Sequence, residues 1–299
     1  MRITITGATG FIGKALIARY AAESAELLVL ARKQPAELPA GTRFFAWDAI
    51  ADEFPLAALE EVNAVIHLAG EPVAQRWSPE AKRRIRESRL HGTRRLVEAL
   101  STISRRPEVL VSASAIGYYG SRGDQALAED AKSGAGFLAE TCVEWEKAAA
   151  LAEALGIRVV TPRIGIVLSP EGGALAQMLP PFRLGAGGKL ASGRQWMSWI
   201  HRADLVELIR WCAATPQIRG PVNATAPNPA VNTDFTHELA HALHRPALFP
   251  VPAFALRVMF GEMAEVLLSS QRVLPRKAID QNFAFRFAAL GPALSDLLG

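Results

Sequence analysis

Thr6-Gly7-Ala8-Thr9-Gly10-Phe11-Ile12-Gly13 sets three glycines at intervals of three between a strand-like run, Ile3-Thr4-Ile5-Thr6, and a helix-like run from Phe11 to Ala22. After the strand the backbone must turn sharply, and a glycine at position 7 tolerates the positive φ such a turn needs. Gly10 lets a pyrophosphate approach the main chain without meeting a Cβ, and Gly13 lets the helix lie close against the strand. The start of the helix, with Phe11 and Ile12, offers unpaired N–H groups to an anion. Strand, glycine corner and helix in that order predict a dinucleotide site rather than an ordinary loop.

Outward from this corner, apolar runs alternate with amphipathic stretches over the first two-thirds of the chain, the pattern of an α/β protein with helices on both faces of a parallel sheet. Strands are expected at 2–6, 27–31, 43–47, 62–69, 108–115, 158–167 and 222–226, and helices chiefly at 11–22, 79–100, 138–154 and 203–214. The fold class that follows is a Rossmann-like doubly wound parallel sheet over residues 1–226, with substrate-side loops around 171–198, and a smaller, mainly helical C-terminal domain over 227–299. Right-handed crossovers bring the ends of the first, fourth and fifth strands around one crevice. Residues at those strand ends are therefore the site candidates, and Val167, at the end of the 158–167 strand, is a further cofactor-binding candidate.

Composition narrows the function classes. The 299 residues, 50% of them hydrophobic, supply a substantial core, and disorder is not expected. A formal charge of +4 and a pI near 9.3 are too mild and dispersed to imply nucleic acid, and fit anionic small molecules better. Cys142 and Cys212 lie far apart without metal-ligand spacing, so reduced, buried thiols are expected and no metal centre. A secretion signal is not expected, and the most apolar region, Ala247 to Leu268, is interrupted by Pro250, Pro252, Arg257, Glu262 and Glu265. The expectation is a cytoplasmic protein without a membrane span, with a packed helix in that apolar region and homo-oligomerisation left open.

The second strand ends Leu30-Ala31-Arg32-Lys33. An NAD-preferring fold carries an acidic residue here for the ribose 2′-hydroxyl, whereas a 2′-phosphate asks for cations. Arg32 and Lys33 therefore favour NADP(H). Asp48, after the third strand, can accept from an adenine amino group or cap the following turn. In the cationic stretch from Lys82 to Arg95 most charges are expected to face water, with Arg89 the candidate for a cofactor contact or a structural ion pair.

Three further stretches, His67-Leu68-Ala69-Gly70, Gly117-Tyr118-Tyr119-Gly120 and Trp199-Ile200-His201-Arg202-Ala203-Asp204-Leu205, join the glycine corner, with Pro180-Pro181-Phe182-Arg183-Leu184-Gly185 and Leu274-Pro275 beyond them. Together they resemble the atypical extended short-chain dehydrogenases/reductases, an NAD(P)-dependent epimerase/dehydratase-like family with a C-terminal domain of unknown function. The resemblance covers essentially the whole chain. It implies an NADP(H)-binding domain in which Leu68, Ala69 and Gly70 pass near the cofactor, with Glu71 following them.

In the extended superfamily a serine on the fifth strand polarises the reacting group, and a tyrosine with a lysine four residues later moves the proton. Ser112 and Ser114 are present. The pair is not: the three tyrosines, Tyr20, Tyr118 and Tyr119, are followed at that spacing by Ser24, Arg122 and Gly123. The stretch Phe137-Leu138-Ala139-Glu140-Thr141 stands where the tyrosine is expected. Ser114 and Tyr118 are the catalytic candidates, with Tyr119 and Arg122, Glu71 or Glu140 as substitutes for the missing pair.

Farther on, Arg183, Lys189 and Arg194 are candidates to clamp a diphosphate, and Trp196 and Trp199 to stack on a ring. His237-Glu238-Leu239-Ala240-His241 matches the zinc-protease pattern. Helical geometry opposes it, since Phe235, Leu239 and Ala242 form an apolar stripe with His237, His241 and His244 nearly opposite. Gln271 to Lys277 reads as a polar connector, and Phe287 to Leu298 as a docked helix. Two functions compete: an NADP(H)-dependent epimerase-like oxidoreductase acting on a carbonyl or hydroxyl small molecule, nucleotide-linked ones included, and a noncatalytic NADPH sensor.

Overall fold

The computed structural model describes residues 1–299 and is built on one parallel sheet. Its strands are β1 (Arg2–Thr6), β2 (Glu26–Ala31), β3 (Arg43–Ala46), β4 (Ala64–His67), β5 (Val109–Ser112), the two-residue β6 (Ser114–Ala115), then β8 (Arg158–Ile164) and β12 (Gly220–Ala224), with β7 (Ala126–Leu127) outside it. The order across the sheet is β3-β2-β1-β4-β5-β8-β12, with β6 beside β8. The order therefore reverses between β1 and β4, and in an open α/β sheet the crevice at that switch point is where ligands bind.

Strand periodicity sorts the core into two layers. Ile3 and Ile5 of β1, Leu27 and Val29 of β2, and Ile66 of β4 face α1 (Phe11–Ala21) and α5 (Arg202–Ala214). Leu28, Leu30 and Val65 point the other way, toward α2 (Pro79–Thr102) and α3 (Phe137–Ala150). Each buried leucine or isoleucine contributes about 1.5–3 kcal/mol through removal from water, so a one-residue slip of any central strand would exchange the layers at prohibitive cost. α2 begins where local chemistry dictates: Ser78 Oγ accepts from Ala81 N at 3.1 Å, and Pro79 opens the first turn. α5 is capped by His201, whose Nδ1 accepts from Ala203 N at 3.1 Å.

The remainder departs from the sequence reading in several places. The 158–167 strand is two, β8 and β9 (Ile166–Leu168), broken at Gly165, where a Cβ would lie 2.5 Å from Ser198 O. Much of the supposed loop after it is α4 (Gly173–Arg183), which buries Leu175, Leu179 and Phe182 despite Pro180 and Pro181. Beyond it come β10 (Trp196–Met197), β11 (Trp199–His201), β13 (Ala230–Val231) and α6 (Asn232–Ala242). The apolar 247–268 region is not a packed helix. It forms α7 (Ala253–Phe260) and α8 (Ala264–Leu268) around Gly261, and Phe254, Val258 and Met259 remain 70%, 73% and 62% exposed. The supposed connector contains β14 (Arg272–Val273), which pairs with β7, while Gln271 Nε2 donates to Ile116 O and Gly120 O at 2.9 and 3.0 Å. After α9 (Arg276–Asp280), the last helix, α10 (Leu290–Leu298), docks on α6 through Ala293 and Leu294 as expected. No helix is long and apolar enough to cross a membrane.

Candidate functional site

The glycine corner is held against the end of β4. Gly7 has φ +72°, and a Cβ there would stand 2.8 Å from both the carbonyl carbon and the oxygen of Leu68. Thr6 Oγ1 accepts from Leu68 N and Ala69 N, both at 3.1 Å, and lies 2.8 Å from His67 Nδ1. With its lone pairs engaged, the Thr6 hydroxyl donates to Nδ1, which assigns the His67 proton to Nε2. That nitrogen donates to Thr93 Oγ1 at 3.1 Å, and Trp145 Nε1 donates to the same hydroxyl at 3.0 Å. Burial pushes the His67 pKa down to about 4, so the ring is neutral. Four elements, β1, β4, α2 and α3, are thereby tied behind the crevice.

The third glycine acts on the corner itself rather than on the strand: a Cβ at Gly13 would lie 2.4 Å from Gly7 O. Gly10 begins α1 with no side-chain cap and no acidic residue in the first turn, leaving the N–H groups of Phe11, Ile12 and Gly13 to an anion. The Phe11 ring closes one side, so near Gly172 and Gly173 that a Cβ at either would meet it at 2.8 or 3.2 Å. Val167 lies on β9 beneath that contact and is buried in the same core layer as α1.

Arg32 and Lys33 are exposed at the end of β2. Arg32 Nη1 lies 3.5 Å from Glu71 Oε2, and Arg84 Nε lies 3.8 Å from Glu71 Oε1. The Glu71 side chain is only 16% exposed, and its carboxylate sits between two arginines just beyond the crevice end of β4. Arg84 belongs to the cationic stretch whose charges are expected mostly to face water, yet its Nε is buried without a hydrogen-bond partner. Arg89 makes no carboxylate pair. Its Nη1 donates to Glu71 O and Ile85 O at 3.0 and 2.9 Å, its guanidinium lies 5.1 Å from the Trp145 ring centroid, and burial lowers its pKa. Gly70 permits this approach, because a Cβ there would be 3.2 Å from Arg89 Cζ. Asp48 caps its turn through Ile50 N at 2.8 Å.

At the β6 end, Ser114 Oγ donates to Glu146 Oε1 at 2.7 Å. The same carboxylate receives Arg163 Nε at 2.8 Å and Arg163 Nη2 at 2.9 Å, a bidentate pair in which Arg163 is 3% exposed. Burial works against the Arg163 charge, but hydrogen bonding and attraction to Glu146 outweigh it and raise the pKa. The Ser114 proton is thus committed, and its oxygen is left as an acceptor. Tyr118 carries the Arg163 guanidinium over its ring at 3.4 Å from the centroid. Arg122 does not serve the tyrosines' hydroxyls, since it donates to the main-chain oxygens of Tyr119, Lys132 and Ser133. Tyr119 is fully buried, bonded to Asn223 Oδ1 at 2.6 Å, and burial pushes its pKa up to about 12, which removes it as a base. Ser112 is also fully buried, its hydroxyl without a partner. Glu140 is exposed on α3, and Glu144 pairs with Arg86 at 2.6 Å rather than with Lys147. The buried thiol of Cys142, pushed up to about 11 by desolvation, is inert beside them.

Glu146 and Arg163 escaped the sequence reading, because one lies mid-helix and the other mid-strand with no local motif joining them. Trp199 cannot stack on a ligand: it is fully buried, and its Nε1 donates to Asn228 O at 3.1 Å. Trp196 is half-buried under Arg272, whose Cζ lies 4.7 Å from the ring centroid. Arg183, Lys189 and Arg194 are exposed. Asp204, expected at a helix start, is buried and accepts from Arg286 N and Phe287 N at 2.9 Å each, tying the C-terminal region to α5.

Residues 3–224 match the NAD dependent epimerase/dehydratase family, and residues 251–297 match a domain of unknown function, DUF1731. The Arabidopsis thaliana protein named "Epimerase family protein SDR39U1 homolog, chloroplastic" is 42% identical over 302 residues, covering 100% of this chain and 87% of that protein. A crystal structure of human epimerase family protein SDR39U1 (isoform 2) with NADPH is 32% identical, with a TM-score of 0.88 over 100% of this chain and 99% of that one. The structure described as the nucleoside-diphosphate sugar epimerase from Corynebacterium glutamicum is 35% identical with a TM-score of 0.80, and this chain spans 58% of it.

Proposed function

The chain belongs to the NAD dependent epimerase/dehydratase family, and from that premise we propose that it is an NADP(H)-binding, epimerase-like oxidoreductase acting on a carbonyl or hydroxyl small molecule. The observation that carries the reading is the corner in which Gly7, pressed on Leu68, leads into an uncapped, acid-free helix start. A Cβ at Gly7 would meet the Leu68 main chain and one at Gly13 the Gly7 carbonyl, so both glycines are needed to close the corner, and Arg84 Nε, without a hydrogen-bond partner, marks an unsatisfied group nearby. The human relative crystallised with NADPH supports the same choice of cofactor.

Main-chain amides of Phe11, Ile12 and Gly13 would hold the pyrophosphate, and Arg32 with Lys33 the 2′-phosphate. When bound, NADP(H) supplies hydride exchange at its nicotinamide. The proton work then falls to this chain's own groups: in hydroxyl oxidation Ser114 Oγ accepts the substrate proton while its own passes to Glu146, which Arg163 keeps oriented. In carbonyl reduction the relay runs backwards, Ser114 giving its proton to the substrate oxygen and regaining one from a Glu146 carboxyl protonated from water. This replaces the tyrosine-lysine pair. The absence of that pair favours the sensor reading; a serine bonded to a carboxylate at the β6 end favours the enzyme.

Single-turnover oxidation of bound NADPH against nucleotide sugars, aldehydes and ketones tests it. A defined reduced product, formed at least tenfold more slowly by Ser114→Ala, supports the assignment. Product formation unaffected by Ser114→Ala removes Ser114 from it, and folded protein that takes up no NADPH at all contradicts the enzyme and the sensor readings alike.

A further inference from the structure

The histidines of His237-Glu238-Leu239-Ala240-His241 take no part in the cofactor corner, and the fold separates them from the glutamate between them. His237 and His241 are exposed on α6, as is His244 just beyond it. Glu238 turns toward α10, where its Oε2 would stand 2.8 Å from a Cβ at Gly291. A metal on the two imidazoles would lack the neighbouring carboxylate that zinc-protease chemistry requires, and no three potential metal ligands converge anywhere in the chain.

The three histidines instead line a groove of about 580 Å³ together with Lys189 and Arg245, and no Asp or Glu lines it. Its volume falls in the range that takes a nucleotide-sized small molecule. The groove is built rather than incidental. Its walls are joined by main-chain hydrogen bonds from Val251 N to Lys189 O at 2.9 Å, from Ala191 N to Val251 O at 2.8 Å and from Arg245 N to Ala240 O at 3.0 Å. Arg245 Nε donates to Arg183 O at 3.1 Å, which fixes its guanidinium without neutralising it. Ala240, Ala247 and Leu248 add apolar lining. Lys189 and Arg245 bring two cations to the groove with no carboxylate in its lining, and an anion with several acceptor oxygens supplies the missing counter-charge.

We propose that this groove is a second ligand site, which binds the phosphate or diphosphate of a small phosphorylated molecule independently of the glycine corner. None of the cofactor candidates lines it. The charged groups of Lys189 and Arg245 hold the anion, and the histidines donate to its remaining oxygens.

The test uses the full chain, inorganic pyrophosphate as the probe, and ring signals of the histidines followed by NMR. The expected result is a saturable shift of His237, His241 and His244 with His91 unmoved; His91 lies in the arginine-rich groove between α2 and α3 and reports diffuse attraction. The double variant Lys189→Ala/Arg245→Ala loses roughly tenfold or more in pyrophosphate affinity, at an unchanged urea midpoint. A parallel, non-saturating shift that includes His91 overturns the proposal, as does unchanged affinity in the double variant. Stoichiometric zinc held by His237 and His241 would overturn it as well.

Discussion

Acidification acts on the fold through His67, whose ring joins the two strands that meet at the crevice. The ordinary histidine pKa near 6.5 governs the unfolded chain, and burial holds the folded ring at about 4. A folded pKa below the unfolded one means that the unfolded chain binds the extra proton. The contribution is therefore fully present above about pH 6.5 and is lost as pH falls toward about 4. At about 1.4 kcal/mol per tenfold, the gap is worth about 3 kcal/mol, a large part of a typical folding free energy. Protonation also places a donor on Nδ1, against the Thr6 hydroxyl that holds Leu68 N and Ala69 N. The assay is urea unfolding of wild type and His67→Leu near pH 7 and near pH 4. The variant starts lower, because Thr6 and Thr93 lose a partner, but its further loss on acidification is smaller than wild type's by about 3 kcal/mol. An equal acid loss in the two proteins would refute the reasoning, as would a His67 ring that titrates near 6.5 in the folded state.

Gly7→Ala puts a methyl against the Leu68 main chain at φ +72°, so it costs about 1–3 kcal/mol or more and weakens NADPH uptake, measured by thermal unfolding and fluorescence titration. If Arg32 holds the 2′-phosphate as proposed, Arg32→Asp puts repulsion in place of a charged hydrogen bond, and NADPH affinity falls by roughly 10- to 100-fold while NADH affinity holds. Glu71→Gln removes the carboxylate 3.5 Å from Arg32 and tightens NADPH several-fold in the same titration; unchanged or weaker binding would show that Glu71 does not compete for that arginine. Glu146→Ala leaves the buried Arg163 without its counter-charge and destabilises the protein by about 3–5 kcal/mol in urea unfolding, well beyond Ser114→Ala.

The features legible in the sequence are those written in short periods. The glycine spacing at 7, 10 and 13 announces the corner, and the short apolar runs of β2 and β4, set between amphipathic stretches, announce a sheet covered on both faces. What stayed hidden depends on distant contacts. α4 is masked by Gly172-Gly173 and Pro180-Pro181, and it exists because Leu175, Leu179 and Phe182 find a core. β14 is two residues long and is made by its pairing with β7. Trp199 and Phe254 show that an aromatic side chain does not encode its own burial, the first being fully buried and the second 70% exposed. Glu146, Arg163 and Ser114 meet across α3, β8 and β6, and no sequence spacing records that meeting.

The central claim is that the first βα corner holds a phosphorylated nicotinamide cofactor. Fluorescence titration of ligand-free, folded protein with NADPH and NADH tests it most directly: saturable uptake of NADPH at a single site, with NADH weaker by roughly tenfold or more, is the predicted result. Folded protein that takes up neither reduced coenzyme saturably would contradict the account.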